Sequence, residues 1–376
     1  MQFVPDSSVI FSFADANSPA QDLRSCVHLM RGGSKTFFAA SRLLPARVRD
    51  ASIALYAFCR VADDLVDEGD GSTDSLAVLT ERLDAIYAGH PQDLVEDRAL
   101  AAVVQMHQLP RPLLDALLEG FAWDAQDRRY NTLEEVQAYA ARVAGSVGAM
   151  MCWLMGVRSP EALARACELG VAMQLTNIAR DVGADARIAR VYLPGDWLRQ
   201  AGIEPMAWLK NPECSPALQS VVERLLQEAD RLYQQASQGI AALPADCRPA
   251  IMAARLIYAE IGQQLRREGM DPVARRAVVA GSRKAWLLAR ACVQARWVRP
   301  QPQQLPSLPA TAYLVAHCAH AAGQLSASGA RSAPGAATPA KRPLAQRAGW
   351  MIDLFERQEQ LRRGRDNRNW MSNGVR

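Results

Sequence analysis

Between about Ala20 and Ala295 apolar residues recur three and four positions apart, while β-branched runs that alternate with polar residues are few. That period puts one side of a helix, not one side of a strand, into a core. Gly and Pro interrupt it at Gly32-Gly33, Pro45, Gly69 to Gly71, Gly89 to Pro91, Pro110 to Pro112, Ser159-Pro160, Pro194-Gly195, Pro212, Pro244 and Gly269 to Pro272. These breaks outline roughly ten helices. The expected fold is all-α, a single large helical bundle, and 376 residues at 49% hydrophobic suffice for its core. Thr132 followed three residues later by Glu135 forms a capping-box signal ahead of a central helix over Val136 to Leu154.

The bundle is expected to occupy residues 1–297. After Pro300 the character changes: Gln301 to Ala330 carries no charged residue, and Pro, Ala, Ser, Gly and Gln dominate to Pro343. Residues 298–345 read as a flexible connector. Residues 346–376 read as a final helix with Trp350, Met351, Leu354, Phe355 and Leu361 on one side and a basic end at Arg357, Arg362, Arg363, Arg365 and Arg368. Such a helix docks on the bundle or on an anionic membrane surface.

Two groups of acids stand out inside the helical pattern. Asp63, Asp64 and Asp67 end the run that begins at Tyr56, and Asn177, Asp181 and Asp185 follow Gln174 at helical spacing. Tyr56, Arg60, Asp63 and Asp67 share a helix face, as do Gln174, Asn177, Asp181 and Asp185. Stacked like charges repel, so acids flanked by apolar helix sequence call for a cation. Hard oxygen donors favour magnesium, with manganese as a substitute. Arg60, Arg180, Arg187 and Arg190 lie alongside, suited to a diphosphate held by such ions. A solvated helix face is the plainer alternative for either group alone.

Gly32-Gly33-Ser34-Lys35-Thr36 lacks the spacing of a P-loop, yet as a glycine-hinged helix start it offers donors for phosphate oxygens. Tyr139 to Gly148 threads Gly145, Ser146 and Gly148 through an apolar helix. Small residues there allow close helix packing, or an apolar tunnel for a long hydrocarbon walled by Met150, Met151 and Trp153.

The composition excludes several classes. A net charge of +4 spread along the chain gives no case for nucleic acid. Eight cysteines without C-x-x-C spacing read as buried thiols in a reducing compartment, and Met1 to Asp15 shows no secretory signal, so a cytoplasmic location is expected. The longest nearly uncharged apolar stretch, Val143 to Val157, is too short to span a bilayer. The five histidines show neither metal spacing nor a triad partner.

Together, in this order, the motifs resemble the squalene and phytoene synthase family over about Cys26 to Arg290, most closely its bacterial phytoene-forming members. Ser34-Lys35-Thr36-Phe37, Tyr56 to Asp67, Tyr139 to Gly148, Gln174 to Asp185 and Arg190 to Pro194 carry the likeness. The resemblance implies a bundle of the isoprenoid synthase type whose two acidic helices face each other across an apolar cavity. It makes Asp63, Asp67, Asn177, Asp181 and Asp185 magnesium ligands, with Asp63, Asp67, Asp181, Asp185 and Tyr258 catalytic. It places Gly33, Ser34, Lys35, Thr36, Tyr56, Arg60, Tyr139, Gln174, Arg180, Arg190 and Tyr258 against the substrate, with Arg275 and Arg283 as further candidates.

The activity so implied is head-to-head condensation of two geranylgeranyl diphosphates, through prephytoene diphosphate, to phytoene, the first committed step towards carotenoids. Alternatives are a squalene or dehydrosqualene synthase acting on farnesyl diphosphate, and a non-catalytic assembly module of the same fold at a membrane. No dinucleotide fingerprint is seen, so NADPH is not expected. Greasy substrate and product imply peripheral association with the inner face of the cytoplasmic membrane, with a downstream carotenoid desaturase as a partner.

Overall fold

The computed structural model describes residues 18–33, 40–68, 73–299 and 306–327; of residues 32–33, 67–68 and 73–74 the backbone alone is described. Within these residues the chain is helix, turn and coil with no strand. In chain order, α1 is Pro19–Gly33, α2 Ala46–Glu68, α3 Thr73–Tyr87, α4 Val95–His107 and α5 Arg111–Ala125. The central segment is α6 (Leu133–Ala140), a π turn (Ala141–Gly145) and α7 (Ser146–Leu154). Then come α8 (Pro160–Arg187), α9 (Gly195–Gln200), α10 (Pro205–Trp208), α11 (Pro216–Gly239), α12 (Arg248–Arg267), α13 (Gly281–Gln294) and α14 (Ala312–Ala327).

Local chemistry sets the helix starts. The Thr132 hydroxyl accepts from the Glu135 N–H and the Glu135 carboxylate accepts in return from the Thr132 N–H, the capping box read from the sequence. Ser159 and Ser215 cap α8 and α11 by the simpler half of this device, each hydroxyl accepting the N–H three residues on, and each is followed by Pro at the first helical position. The 28-residue α8 forms the spine. It is buried on most sides and packs against α7, α11, α12 and α14, whereas α2 lies against α1, α4, α5 and α7.

Two glycines let α8 cross the central segment backbone to backbone. A Cβ on Gly170 would lie 2.1 Å from the Ala144 carbonyl oxygen, and one on Gly148 would lie 2.2 Å from that of Ala166. Close packing, one of the two readings of this small-residue run, is therefore correct at these positions.

The expected connector needs correcting. Residues 306–327 are ordered structure, a 3₁₀ turn at Pro309–Thr311 followed by α14, which buries Leu314 and Cys318 against α5, α7 and α8. A buried ion pair anchors the entry to it: Arg165 and Glu168 stand 3.0 Å apart on α8, Glu168 accepts the Leu308 N–H, and Arg165 donates to the Pro306 carbonyl. The uncharged segment is therefore part of the bundle, not a linker. The bundle thus extends beyond residue 297; the rest of the expected connector and the helix over 346–376 lie outside the described residues.

Candidate active site

On α2, Tyr56, Arg60, Asp63 and Asp67 occupy successive positions of one face, and the Asp67 side chain lies outside the description. Arg60 turns along its own helix, its Nη2 2.5 Å from Asp64 and its Nη1 3.6 Å from Asp63. The Asp63 side chain is 45% exposed. Tyr56 is half-buried; burial raises its hydroxyl above the usual phenol range, Arg60 works against that, and Tyr258, Asp63 and Asp64 add to it.

The α8 face is more enclosed. Asn177 donates weakly to Gln174 at 3.5 Å, while its own Oδ1 is buried with no hydrogen-bond partner. Asp181 is clasped twice: Arg180 approaches at 2.8 and 2.5 Å and Arg276 at 2.6 and 3.0 Å. Burial pushes the Asp181 carboxyl up, but the two guanidiniums outweigh it and hold the group below the usual carboxylate range. Asp185 goes the other way. Burial and the neighbouring Asp181 charge, with Asp124 adding to them, raise it to about 7 although Arg190 and Arg180 oppose the shift.

Asp124, at the end of α5, escapes a reading by motif. It accepts the hydroxyls of Tyr139 and Tyr192, both at 2.7 Å, and the two rings stack with centroids 5.2 Å apart. Tyr139 thus meets Asp124 rather than open solvent, and Arg190 lines the adjoining pocket with Tyr192 and Asp127. The available signal was an acid on a helix that otherwise buries leucines. Arg276 also escaped notice, because only geometry separates it from its neighbour. Of the two expected arginines, Arg275 donates to the Glu268 carbonyl and Arg283 pairs with Glu260 at 2.9 Å, so neither is directed to the acids of α8.

Between the π turn, α7, α8, α11 and α12 lies a cavity of about 220 Å³. Val143, Val147, Met151, Met155 and Met173 give it apolar walls, and Gln174, Asn177 and Tyr258 give it a polar rim. Met151 lines it as expected. Met150 and Trp153 do not: both are fully buried in the core, and the Trp153 indole N–H donates to the His107 carbonyl. Tyr258 feels the charges of this region: burial raises its hydroxyl, and Arg180 and Arg276 pull it down. Gly33 lies at the end of α1, while Ser34, Lys35 and Thr36 lie outside the described residues.

The donor set suits a hard divalent cation. Asn177 presents an unpartnered buried oxygen, and Asp185 sits among acids without a direct cation partner among the bonds described. As the side chains stand, no three acids, His or Cys among the described residues converge on one point.

A helical bundle with two acid-bearing helices, a cluster of arginines and an apolar cavity has the architecture of an isoprenoid synthase. More narrowly, the chain belongs to the squalene/phytoene synthase family, whose model matches residues 30–284. It is 53% identical over 307 residues to the phytoene synthase of Rhodobacter capsulatus, covering 80% of this chain and 90% of that one. The phytoene synthase of Cereibacter sphaeroides is 52% identical over 277 residues, 71% of this chain and 78% of the other. A dehydrosqualene synthase solved with a ligand superposes with a TM-score of 0.68 at 30% identity, covering 74% of this chain and 98% of that one.

Proposed function

We propose that this enzyme joins two geranylgeranyl diphosphates head to head into phytoene. The observation that carries the proposal is an apolar cavity continuous with the acid stripe: Gln174 and Asn177 are part of its lining, and Arg180, Asp181 and Asp185 follow them along α8. Its closest support in sequence is the likeness to phytoene synthases at 53% and 52% identity.

Magnesium held by Asp63, Asp67, Asn177, Asp181 and Asp185 would neutralise a diphosphate and ease its departure. Arg180, Arg190 and Arg276 are placed to meet the remaining negative charge. The protein supplies the rest by position and exclusion. C1 of the first substrate, losing diphosphate, bonds across the C2=C3 double bond of the second with loss of a proton, giving the cyclopropylcarbinyl diphosphate. Departure of the second diphosphate, ring rearrangement and a second proton loss give the triene. The net products are phytoene and two diphosphates, so no reductant enters. Walls of Val143, Val147, Met151 and Met173 keep water from the allylic cation, and Tyr258 lines the same space.

Among the described residues no helix is long and apolar enough to cross a membrane. Because substrate and product are lipids, the reading places the enzyme peripherally on the cytoplasmic membrane surface, passing phytoene to a desaturase. Incubation with magnesium and labelled geranylgeranyl or farnesyl diphosphate tests the assignment. Phytoene from the C20 substrate is expected; a C30 hydrocarbon as the preferred product, or no hydrocarbon at all, would overturn it.

A further inference from the structure

The acids of this chain stop at Asp271: from Pro272 to Ile352 there is no Asp or Glu. Within that stretch α13 packs Leu287, Leu288 and Ala291 against the bundle, chiefly on α12, and turns its other side outwards. Trp286, Arg290 and Val293 follow one another at i, i+4 and i+7, which is one helix face, and Trp297 stands in the turn just past the helix end. Trp286 is 49%, Val293 56% and Trp297 75% exposed. Two exposed tryptophans on one short segment are not the ordinary scatter of apolar surface residues.

The face is also basic. Arg283 and Arg290 lie over the Trp286 ring at 4.5 and 5.3 Å, and Arg296 and Arg299 are exposed beyond the helix end. Glu260 on α12, which pairs with Arg283, is also held by Arg267. Among the described residues no carboxylate pairs with Arg290, Arg296 or Arg299. Indole rings prefer the headgroup level of a bilayer, and guanidiniums beside them are drawn to anionic headgroups. The chain's own basic stretch, Arg357 to Arg368, has the wrong sign to cover this surface.

We infer that the outer face of α13 is the surface by which the enzyme docks on anionic lipid. This deepens the peripheral-membrane reading above and rests on it. It assigns the contact to the folded bundle, whereas the sequence offers the tail helix as one candidate for it, with docking on the bundle as that helix's alternative.

The test is cosedimentation of the full-length protein with phosphatidylcholine vesicles, with and without about a third phosphatidylglycerol. Binding is expected only to the anionic vesicles. The pairs Trp286→Ala with Trp297→Ala, and Arg290→Glu with Arg296→Glu, should each weaken it roughly tenfold or more. Turnover of detergent-dispersed substrate and the thermal midpoint should stay unchanged, which shows that the variants fold. Changing Arg362, Arg363 and Arg365 to Gln should leave binding in place. Wild-type binding that survives the α13 changes overturns this assignment and leaves the peripheral reading standing; a wild-type protein that binds neither vesicle overturns both. Equal binding to neutral vesicles, or a dimer that dissociates in the tryptophan variant without vesicle binding, also overturns it.

Discussion

Arg276 reaches back 95 residues to clasp Asp181, Nε to Oδ1 at 2.6 Å and Nη2 to Oδ2 at 3.0 Å. With Arg180 on the same carboxylate, the acid expected to serve a metal carries two guanidiniums. A divalent ion and a diphosphate would divide these partners between them, the ion taking the carboxylate and the arginines the phosphate oxygens.

Arg276→Ala should therefore lower kcat at saturating magnesium by about tenfold or more, the scale of losing one charge-stabilising donor. Arg275→Ala removes a side chain that bonds only the Glu268 carbonyl and the nearby Glu268 carboxylate, and should change turnover less than about twofold. Steady-state kinetics on the two variants decides which neighbour belongs to the site. Equal losses would remove Arg276 from it.

Asp185 gives the site a pH dependence. Its carboxyl stands at about 7, raised by burial and then by Asp181. Below that value an incoming cation must displace its proton, so magnesium affinity should rise with pH up to about 7, by up to about tenfold per unit, and level off above it. Asp124 is one of the charges that raise it, so Asp124→Asn should move the levelling point to lower pH. Calorimetric titration with magnesium in buffers of different ionisation enthalpy reads both the affinity and the proton released. An affinity flat between pH 5.5 and 8, chosen as roughly a unit or more either side of that value, would speak against this role.

Gly170→Ala sets a methyl group against the Ala144 carbonyl, backbone against backbone, and should cost about 3 kcal/mol or more. Gly323→Ala is its control. Nothing lies within 4 Å of a Cβ at that helical position, so the same change should add up to about 1 kcal/mol of stability. Urea denaturation followed by circular dichroism measures both.

Glu168→Ala leaves the Arg165 guanidinium deep in the bundle and releases the Leu308 N–H, and should destabilise by about 3 kcal/mol. Hydrogen exchange should speed up first over residues 306–327. Uniform acceleration across α8 and α11 would mean that the pair supports the core generally rather than this segment.

The helical class and both acid stripes were legible because burial imposes the 3.6-residue period on residue type. Met150 and Met151 were not told apart because the π turn at Ala141–Gly145 intervenes. Its wider turn changes the phase of every side chain after it, and no periodicity carried through from Val136 allows for that. α14 hid for a different reason. A helix that fully buries only Leu314 and Cys318, and is half Ala, Gly, Ser and Gln with no charged residue, is easily taken for a linker. Arg276 and Asp124 act across distances of 95 residues to Asp181 and 68 to Tyr192, and such partners are set by tertiary packing alone.

The contact of Gly148 and Gly170 with opposing carbonyls has a mechanical consequence. Two helices locked main chain to main chain have no side-chain layer in which to slip, so α7 and α8 form a fixed jaw. Room for two long chains and for the product that joins them must then come from the adaptable part of the lining, the rotamers of Met151, Met155 and Met173.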